Sequence, residues 1–313
     1  SITICLEKRV ILIHQNKTLT AMNYVFPSSE LIINGNGTIY HLCLRPENLA
    51  DKVILVGDPK RVETIAQYFD STECNIMNRE YHTITGTYKG KRISAVSTGV
   101  GCGNVDIVMN EMDALANIDF STRTEKENKH RLEIVRIGTC GGLQPETPLG
   151  SYICSVESIG LDGLLNFYKG RNEVCDLELE EAFVRHMSWS GYMGGPHPYV
   201  AIADCELSNR IAGDDMIKGI TVSAPGFFGP QGRRLRIQPA DDRQNEKIEI
   251  FEYKGAKILN YEMESSAVAG FASLLGHRAT SVCMVVADRY QKEAGASSKN
   301  TMAGLIEKVL ERI

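Results

Sequence analysis

The segment Ile134–Gly142 constrains the fold most, because it places a charged side chain inside an apolar strand that runs into a glycine-rich turn. Burying the guanidinium of Arg136 without a partner is expensive, and arginine does not lose its proton, so the partner should be an anion. The glycines that follow would let an anion approach the backbone amides. The alternative is an edge strand that leaves Arg136 in solvent or pairs it with a structural carboxylate.

Apolar strands alternate with helical segments along much of the chain. Asp58 suits a helix N-cap and Pro59 the first helical position, which indicates a helix running to Phe69. Strands are predicted over Val53–Gly57, Tyr81–Tyr88, Ile93–Ser97, Ser151–Ser155, Ile220–Ser223, Lys257–Tyr261 and Thr280–Ala287. Further helices are predicted over Val105–Leu115, Leu177–Trp189, Ser265–Leu275 and residues 300–313. This order predicts an α/β fold, a single domain whose central mixed β-sheet is flanked by helices.

Composition and charge exclude several classes of protein. The 313 residues include 43% apolar residues and carry a net charge of −5, which argues against nucleic acid or an anionic membrane as a partner. Nine cysteines are scattered without a C-x-x-C pair, so neither a zinc site nor a disulfide framework is expected, and a reducing cytosol fits best. No apolar run reaches the roughly 18 residues that a transmembrane helix needs.

Residues 1–38 are expected to form an N-terminal extension to a domain that spans residues 39–313. One hypothesis places the true start at Met22, so that residues 1–21 are non-native or poorly ordered. Asn34–Gly37 predicts a turn, with a strand over Thr38–Leu44 after it. The charged segment Ser121–Arg131 lacks periodicity and is expected to be a solvated loop.

Several polar or glycine residues follow the carboxyl ends of predicted apolar strands. They are Gly57 with Arg61, Arg136 with Thr139, Glu262 with Glu264, and Asp288 with Arg289. Ligands of α/β sheets bind at this edge, so these residues predict one site there. Arg61 near a helix N-terminus suggests a neighbouring anion, and the alternative is that its side chain points to solvent.

Six motifs, in this order, resemble the nucleoside phosphorylase superfamily and, within it, the uridine phosphorylases. They are Val56–Val62, Arg79–Glu80, Ser97–Gly101, Arg136–Gln144, Gly226–Arg233 and Asn260–Ser265. The resemblance covers about residue 39 to the C-terminus. It implies phosphorolysis of a nucleoside to free base and ribose 1-phosphate, with inorganic phosphate as co-substrate and no cofactor or metal. It also implies a homodimer, or a trimer of dimers, whose sites are shared across the dimer interface.

The resemblance assigns roles by matching position. Phosphate would be held by Gly57, Arg61, Arg136 and Thr139, and by Arg79 from a neighbouring subunit. Ribose would contact Met263 and Glu264, and also His41 across the same interface. The base would contact Phe227, Gln231, Arg233, Glu262 and Asp288. Catalysis would rest on Arg136, Thr139, Glu264 and Arg233, which position phosphate and stabilise charge, because phosphate itself is the nucleophile.

Two departures from the family pattern leave the substrate open. Cys140 stands where many bacterial relatives carry Thr, and Asp288 stands where uridine phosphorylases commonly show Asn. The purine enzymes of this superfamily use a catalytic Asp at the position of Asp288. The alternatives are therefore a purine or broad-specificity phosphorylase, a nucleosidase that uses water, or a non-enzymatic storage or interaction protein on the same fold.

Overall fold

The computed structural model describes residues 24–189, 195–288, 293–294 and 301–313. The strands are β1 (Lys52–Val56), β2 (Ser71–Asn78), β3 (Tyr81–Tyr88), β4 (Lys91–Ser97), β5 (Ile118–Asp119), β6 (Thr124–Glu125), β7 (Glu133–Gly142), β8 (Tyr152–Gly160), β9 (Tyr199–Ile202), β10 (Ile217–Ser223), β11 (Glu252–Tyr253), β12 (Ala256–Glu262), β13 (Arg278–Asp288) and β14 (Glu293–Ala294). The helices are α1 (Pro59–Ala66), α2 (Cys102–Asn117), α3 (Leu177–Met187), α4 (Cys205–Ala212), α5 (Gln244–Ile250), α6 (Ser265–Leu275) and α7 (Met302–Arg312).

Twelve strands of the described ranges form one mixed sheet. Its order is β11-β12-β10-β8-β13-β7-β1-β4-β3-β2, with β9 beside β8 and β14 beside β13. Strand β7 is parallel to its neighbours β1 and β13, whereas β8 is antiparallel to β13. Strand β12 also pairs with the end of β7, Asn260 with Gly142 and Tyr261 with Gly141, which closes β12, β10, β8, β13 and β7 into a ring. The predicted α/β class with a mixed sheet is confirmed.

Helices cover both faces of the sheet, which explains why its central strands are apolar throughout. Alternate residues of β1 face opposite sides. Val53 and Leu55 pack in the core that contains α2 and α6, and Ile54 and Val56 pack in the core that contains α1, α4 and α7. Among the described residues, no helix combines the length and the apolar character that crossing a bilayer requires.

Local sequence signals account for most of the observed elements. The carboxylate of Asp58 accepts a hydrogen bond from the Lys60 amide at 2.9 Å, so the predicted N-cap of α1 is confirmed, although the helix ends at Ala66. The strands predicted over Tyr81–Tyr88 and Ile93–Ser97 form and pair as a hairpin, and helices α2, α3 and α6 are also confirmed. Strands β2 and β9 and helices α4 and α5 were not predicted.

The strand predicted over Thr38–Leu44 is wrong. The turn at Asn34–Gly37 forms, with the Gly37 amide 2.8 Å from the Asn34 carbonyl oxygen. The chain then turns again instead of extending, because Cys43 has φ of 53° and its amide donates to the Ile39 carbonyl at 3.1 Å. An apolar run therefore forms a compact turn in which Leu42 and Leu44 are buried.

Part of the N-terminal extension packs on the segment that was expected to be a solvated loop. Within that segment, β6 pairs with β5 as a short hairpin. The Arg123 side chain donates to the carbonyl oxygens of Phe26 at 2.7 Å and Pro27 at 3.1 Å, and also to that of Leu31. The charged segment thus anchors residues 26–31. The hypothesis about residues 1–21 lies outside the described residues.

A half-buried carboxyl group on β8 makes stability depend on pH. Burial and the neighbouring Asp176 raise the pKa of Glu157 from 4.5 to about 6. The folded protein therefore binds the proton more tightly than the unfolded chain, and stability is lost as pH rises through this window. The free energy of unfolding of Glu157→Gln minus that of the wild type should be up to about 2 kcal/mol larger at pH 8 than at pH 4. One pKa unit corresponds to about 1.36 kcal/mol.

Urea unfolding of both proteins at the two pH values measures this difference. Glu181→Gln removes an exposed carboxylate of α3 and serves as the control, with no comparable change expected. A difference between Glu157→Gln and wild type that stays constant with pH would contradict the assignment.

Candidate active site

Arg136 lies in the interior of the sheet and is paired with two carboxylates. Strand β7 is central rather than at an edge, and Arg136 is 5% exposed. Its Nη1 lies 3.1 Å from Oε2 of Glu262, and its Nη2 contacts Oε2 of Glu264. The placement on an edge strand in solvent is therefore wrong, whereas pairing with carboxylates, which was part of the same alternative, is what the structure shows. The partners in this structure are carboxylates of the chain itself.

These groups meet by a route that the sequence reasoning did not anticipate. Arg136 is the fourth residue of β7 rather than a residue at its carboxyl end. Strand β12 pairs with β7 in the antiparallel direction, so the chain leaving β12 carries Glu262 and Glu264 back over the middle of β7. Glu262 and Glu264 do lie at the carboxyl end of their strand, as expected, whereas Arg136 lies within β7 rather than at its end. Closure of the sheet into a ring unites these residues.

Burial and charge act on this cluster in opposite directions. Burial alone would lower the pKa of Arg136, but the carboxylates of Glu264 and Glu262 outweigh it and hold the pKa above its ordinary value. Burial raises the pKa of Glu264, a shift that the charge of Arg136 opposes. The cluster is thus a salt bridge whose members depend on one another for charge compensation.

Backbone amides and hydroxyls fix both carboxylates. Oε1 of Glu264 accepts from the Gly101 amide at 2.7 Å. Oε2 of Glu262 accepts from the amides of Glu264 at 2.8 Å and Ser265 at 2.9 Å, at the start of α6. The hydroxyl groups of Ser265 and Ser223 donate to Oε1 of Glu262. Sequence reasoning assigned no role to Gly101, Ser223 or Ser265, although Gly101 and Ser265 end two of the matching motifs and Ser223 ends a predicted strand.

Arg61 is near Arg136, and the alternative that it points to solvent is wrong. Its side chain is half-buried, and Nη1 donates to the Ile137 carbonyl at 3.4 Å. Burial and the charge of Arg136 lower the pKa of Arg61, an arrangement that favours a further anion. Gly57 lies beside this group, where a Cβ atom would be 3.3 Å from the Gly99 carbonyl oxygen. Thr139 is exposed on β7.

A second group forms in the loop after β10. The predicted irregular loop contains one 3₁₀ turn, Gly229–Gln231. Nη1 of Arg233 donates to the Phe227 carbonyl at 2.7 Å and to Oε1 of Gln231, and the guanidinium carbon lies 3.8 Å from the centre of the Phe227 ring. Gln231 is buried while Phe227 is half exposed. Arg233 therefore contacts both Phe227 and Gln231, and these are three of the five residues predicted to contact the base.

The remaining candidates occupy other positions. Met263 is half-buried, and its carbonyl accepts from Sγ of Cys102 at 3.1 Å. Asp288 is buried at the end of β13, opposite Gly142 and thus beyond the level of Arg136 on β7. Arg289 lies outside the described residues.

His41 and Arg79 belong to a separate group, linked through Tyr40 and Asn78. The guanidinium carbon of Arg79 lies 6.0 Å from the Tyr40 ring centre, and Nδ2 of Asn78 donates to the His41 carbonyl at 2.7 Å. Arg79 is exposed and has φ of 55°. Within the described part of the chain, no hydrogen bond or ion pair joins His41 or Arg79 to the cluster around Arg136.

Among the described residues, no group of three or more His, Cys, Asp and Glu side chains is arranged to hold a metal ion. The groups described above provide two arginines, two carboxylates and the polar loop that carries Gln231 and Arg233. Such a site suits an anion and a polyhydroxylated or heterocyclic ligand side by side.

Comparison with known proteins identifies the family. Uridine phosphorylase from Thermococcus kodakarensis is 28% identical over 286 residues, which cover 89% of this chain and 87% of that protein. DeoD-type purine nucleoside phosphorylase from Bacillus velezensis is 26% identical over 246 residues, which cover 78% and 85%. The crystal structure of a Trypanosoma brucei nucleoside phosphorylase, described as showing uridine phosphorylase activity, matches with a TM-score of 0.80 and 28% identity over 90% of this chain and 99% of that one. The family profile described as "Phosphorylase superfamily" matches residues 51–312, and the chain belongs to that superfamily.

Proposed function

We propose that this enzyme is a pentosyltransferase that cleaves uridine, and also deoxyuridine, with inorganic phosphate to give uracil and (deoxy)ribose 1-phosphate. The observation that carries the proposal is the buried contact between Arg136 and Glu264. It places a residue suited to bind phosphate directly beside a residue suited to bind the sugar hydroxyls. Similarity to uridine phosphorylases supports the same reaction. A nucleosidase that uses water would have no need for several arginines beside the sugar site.

The reaction builds positive charge on ribose and negative charge on the departing base. Phosphate, held by Arg61, Arg136 and Thr139 near Gly57, would attack the sugar carbon as the base leaves. Glu264 would orient the sugar hydroxyls and place negative charge near the cationic transition state. Every charged group in this scheme is held by the contacts described above, so little reorganisation is required.

Base selection would rest on Phe227, Gln231 and Arg233. The aromatic ring would pack on the base, the amide of Gln231 would meet the uracil edge, and Arg233 would donate to a carbonyl and stabilise the base anion. Cytosine presents an amino group in place of one carbonyl, so a donor would face a donor and cytidine should be rejected. Glu262 would support this site by fixing the start of α6.

We also propose a homodimer, or a trimer of dimers, in which His41 and Arg79 complete the neighbour's ribose and phosphate sites. Their separation from the Arg136 cluster and the exposure of Arg79 support this arrangement. We also propose a reducing cytosolic location on the sequence pattern of scattered cysteines without a C-x-x-C pair, and the disulfide bond of Cys205 in this structure argues against that location.

Substrate preference tests the proposed function. We expect kcat/KM for uridine to exceed that for inosine at least about tenfold, the effect of one contact of roughly 1.4 kcal/mol. Asp288→Asn should leave uridine cleavage largely intact, because two base contacts lie in the loop after β10. Base release from a panel of nucleosides, with and without phosphate, provides the measurement.

The second candidate is a purine or broad-specificity phosphorylase. Asp288 and the similarity to a DeoD-type enzyme favour it. A protonated Asp288 could assist a purine leaving group. Faster cleavage of inosine than of uridine, abolished by Asp288→Asn, would establish this candidate and refute the uridine assignment. Absence of cleavage of any nucleoside would favour a non-enzymatic relative.

A further inference from the structure

Glu111 of α2 holds the turn that carries His41. Its Oε1 accepts from the His41 amide at 3.0 Å and lies 2.7 Å from the ring atom Nδ1. Its Oε2 accepts from the Leu42 amide at 2.8 Å. The Glu111 side chain is 13% exposed and that of His41 is 25% exposed, so this clamp is largely shielded from water. One carboxylate thus fixes both the backbone and the ring of His41.

This geometry determines which ring nitrogen carries the proton. Two backbone amides donate to the carboxylate, so Glu111 acts as an ionised acceptor. A hydrogen bond at Nδ1 then requires that Nδ1 be the donor. In the neutral ring, Nε2 is consequently left with its lone pair and can only accept. The rings of Tyr40 and Tyr81 pack edge-on against the imidazole, with centroids 4.7 and 6.1 Å away, and restrict its rotation.

The same clamp also supports Arg79. Asn78 donates to the His41 carbonyl, and Arg79 lies over the Tyr40 ring, so the turn at Tyr40–Leu42 and the β2–β3 turn form one unit. Glu111 is the anchor of this unit on α2.

We propose that Glu111 is a positioning residue that keeps the proton of His41 on Nδ1, so that Nε2 accepts a hydrogen bond from one sugar hydroxyl of the nucleoside bound to the neighbouring subunit. The proposal rests on the proposed function, because it takes the ligand to be a nucleoside and the site to be shared. It adds a selection rule: the sugar must offer a hydroxyl donor at the atom that meets His41.

Nitrogen-15 NMR of histidine tests the tautomer without any assay of activity. The full-length protein is labelled on histidine, and the His41 signals are assigned with a His41→Ala variant. At alkaline pH, where the ring is neutral, we expect the proton of His41 on Nδ1 in the wild type and a mixed or Nε2–H population in Glu111→Gln. A wild-type ring protonated on Nε2, or a tautomer unchanged in Glu111→Gln, would overturn the proposal.

Kinetics with substrates that lack single hydroxyls tests the consequence. Glu111→Gln should lower kcat/KM for uridine by up to about tenfold, the value of one hydrogen bond. Among 2′-, 3′- and 5′-deoxyuridine, this loss should vanish for the one analogue that lacks the hydroxyl facing His41. An equal loss with uridine and all three analogues would indicate a structural effect and refute the role.

A double variant shows whether Glu111 acts through His41. Adding Glu111→Gln to His41→Ala should cost little more than His41→Ala alone, whereas independent effects would add. Glu181→Gln makes the same change on the surface of α3 and should leave kinetics and tautomer unchanged. If the wild type cleaves no nucleoside, the proposed function fails, yet the NMR result still decides the role of Glu111 in setting the tautomer.

Discussion

The Arg136→Ala variant is expected to lose at least about tenfold in kcat/KM and to require much more phosphate, because a charge-assisted contact is worth about 1.5–3 kcal/mol. It should also lose about 3–5 kcal/mol of stability, since Glu262 and Glu264 would remain buried without their cation. Initial rates over a range of phosphate concentrations and urea unfolding measure the two effects.

Arg136→Lys separates the two effects, because lysine keeps the charge but cannot form the fork that contacts both carboxylates. Compared with Arg136→Ala, the Arg136→Lys variant should regain a larger share of the lost stability than of the lost activity. Arg243→Ala removes an exposed arginine that precedes α5 and pairs with Glu246, and it is the control, with neither property changed. Wild-type phosphate dependence in a folded Arg136→Ala protein would show that the phosphate is bound elsewhere.

Mixing two inactive variants is expected to restore activity. If each site takes Arg136 from its own subunit and Arg79 from the neighbour, a hybrid dimer of Arg79→Ala and Arg136→Ala contains one intact site. Random exchange should then give roughly one quarter of the wild-type activity per subunit, since half of the dimers are hybrids with one working site each. Activity before and after subunit exchange provides the measurement.

The control for this experiment mixes Arg79→Ala with His41→Ala. Both residues are proposed to be donated to the neighbour, so neither site of that hybrid regains a full set and no rescue is expected. Full activity of a demonstrably monomeric sample, or equal rescue in both mixtures, would contradict shared sites.

Local sequence patterns predicted which segments form helices and strands better than they predicted which segments contact one another. Runs such as Val53–Gly57 and Ser265–Leu275 are largely apolar and mostly buried, so their sequences alone indicated a buried strand and a buried helix. The pairing of Arg136 with Glu264 spans 128 residues and depends on ring closure between β12 and β7, which leaves no local signal. The motif resemblance suggested that these residues belong together without giving their geometry.

The wrong strand prediction and the missed role of Glu111 also arise from contacts between residues far apart in the sequence. Thr38–Leu44 has strand-like residues, but its conformation is set by contacts of His41 and Leu42 with Glu111, some 70 positions away. Glu111 is one of three acidic residues of α2, with Asp106 and Asp113, so nothing in the sequence around it distinguishes it from a solvated residue. Hydrogen bonds between residues far apart in the sequence determine both the turn at Thr38–Leu44 and the position of Glu111 beside it.

The buried contact between Arg136 and Glu264 has a consequence for anyone who redesigns this enzyme. A substitution at Glu264 intended to accept a different sugar also removes the counter-charge of Arg136, and therefore changes how strongly that arginine attracts an anion. Because such linkage is reciprocal, a change intended to retune anion affinity at Arg136 alters the carboxylate that meets the sugar. The two subsites must consequently be engineered as one unit, with libraries that vary both positions together.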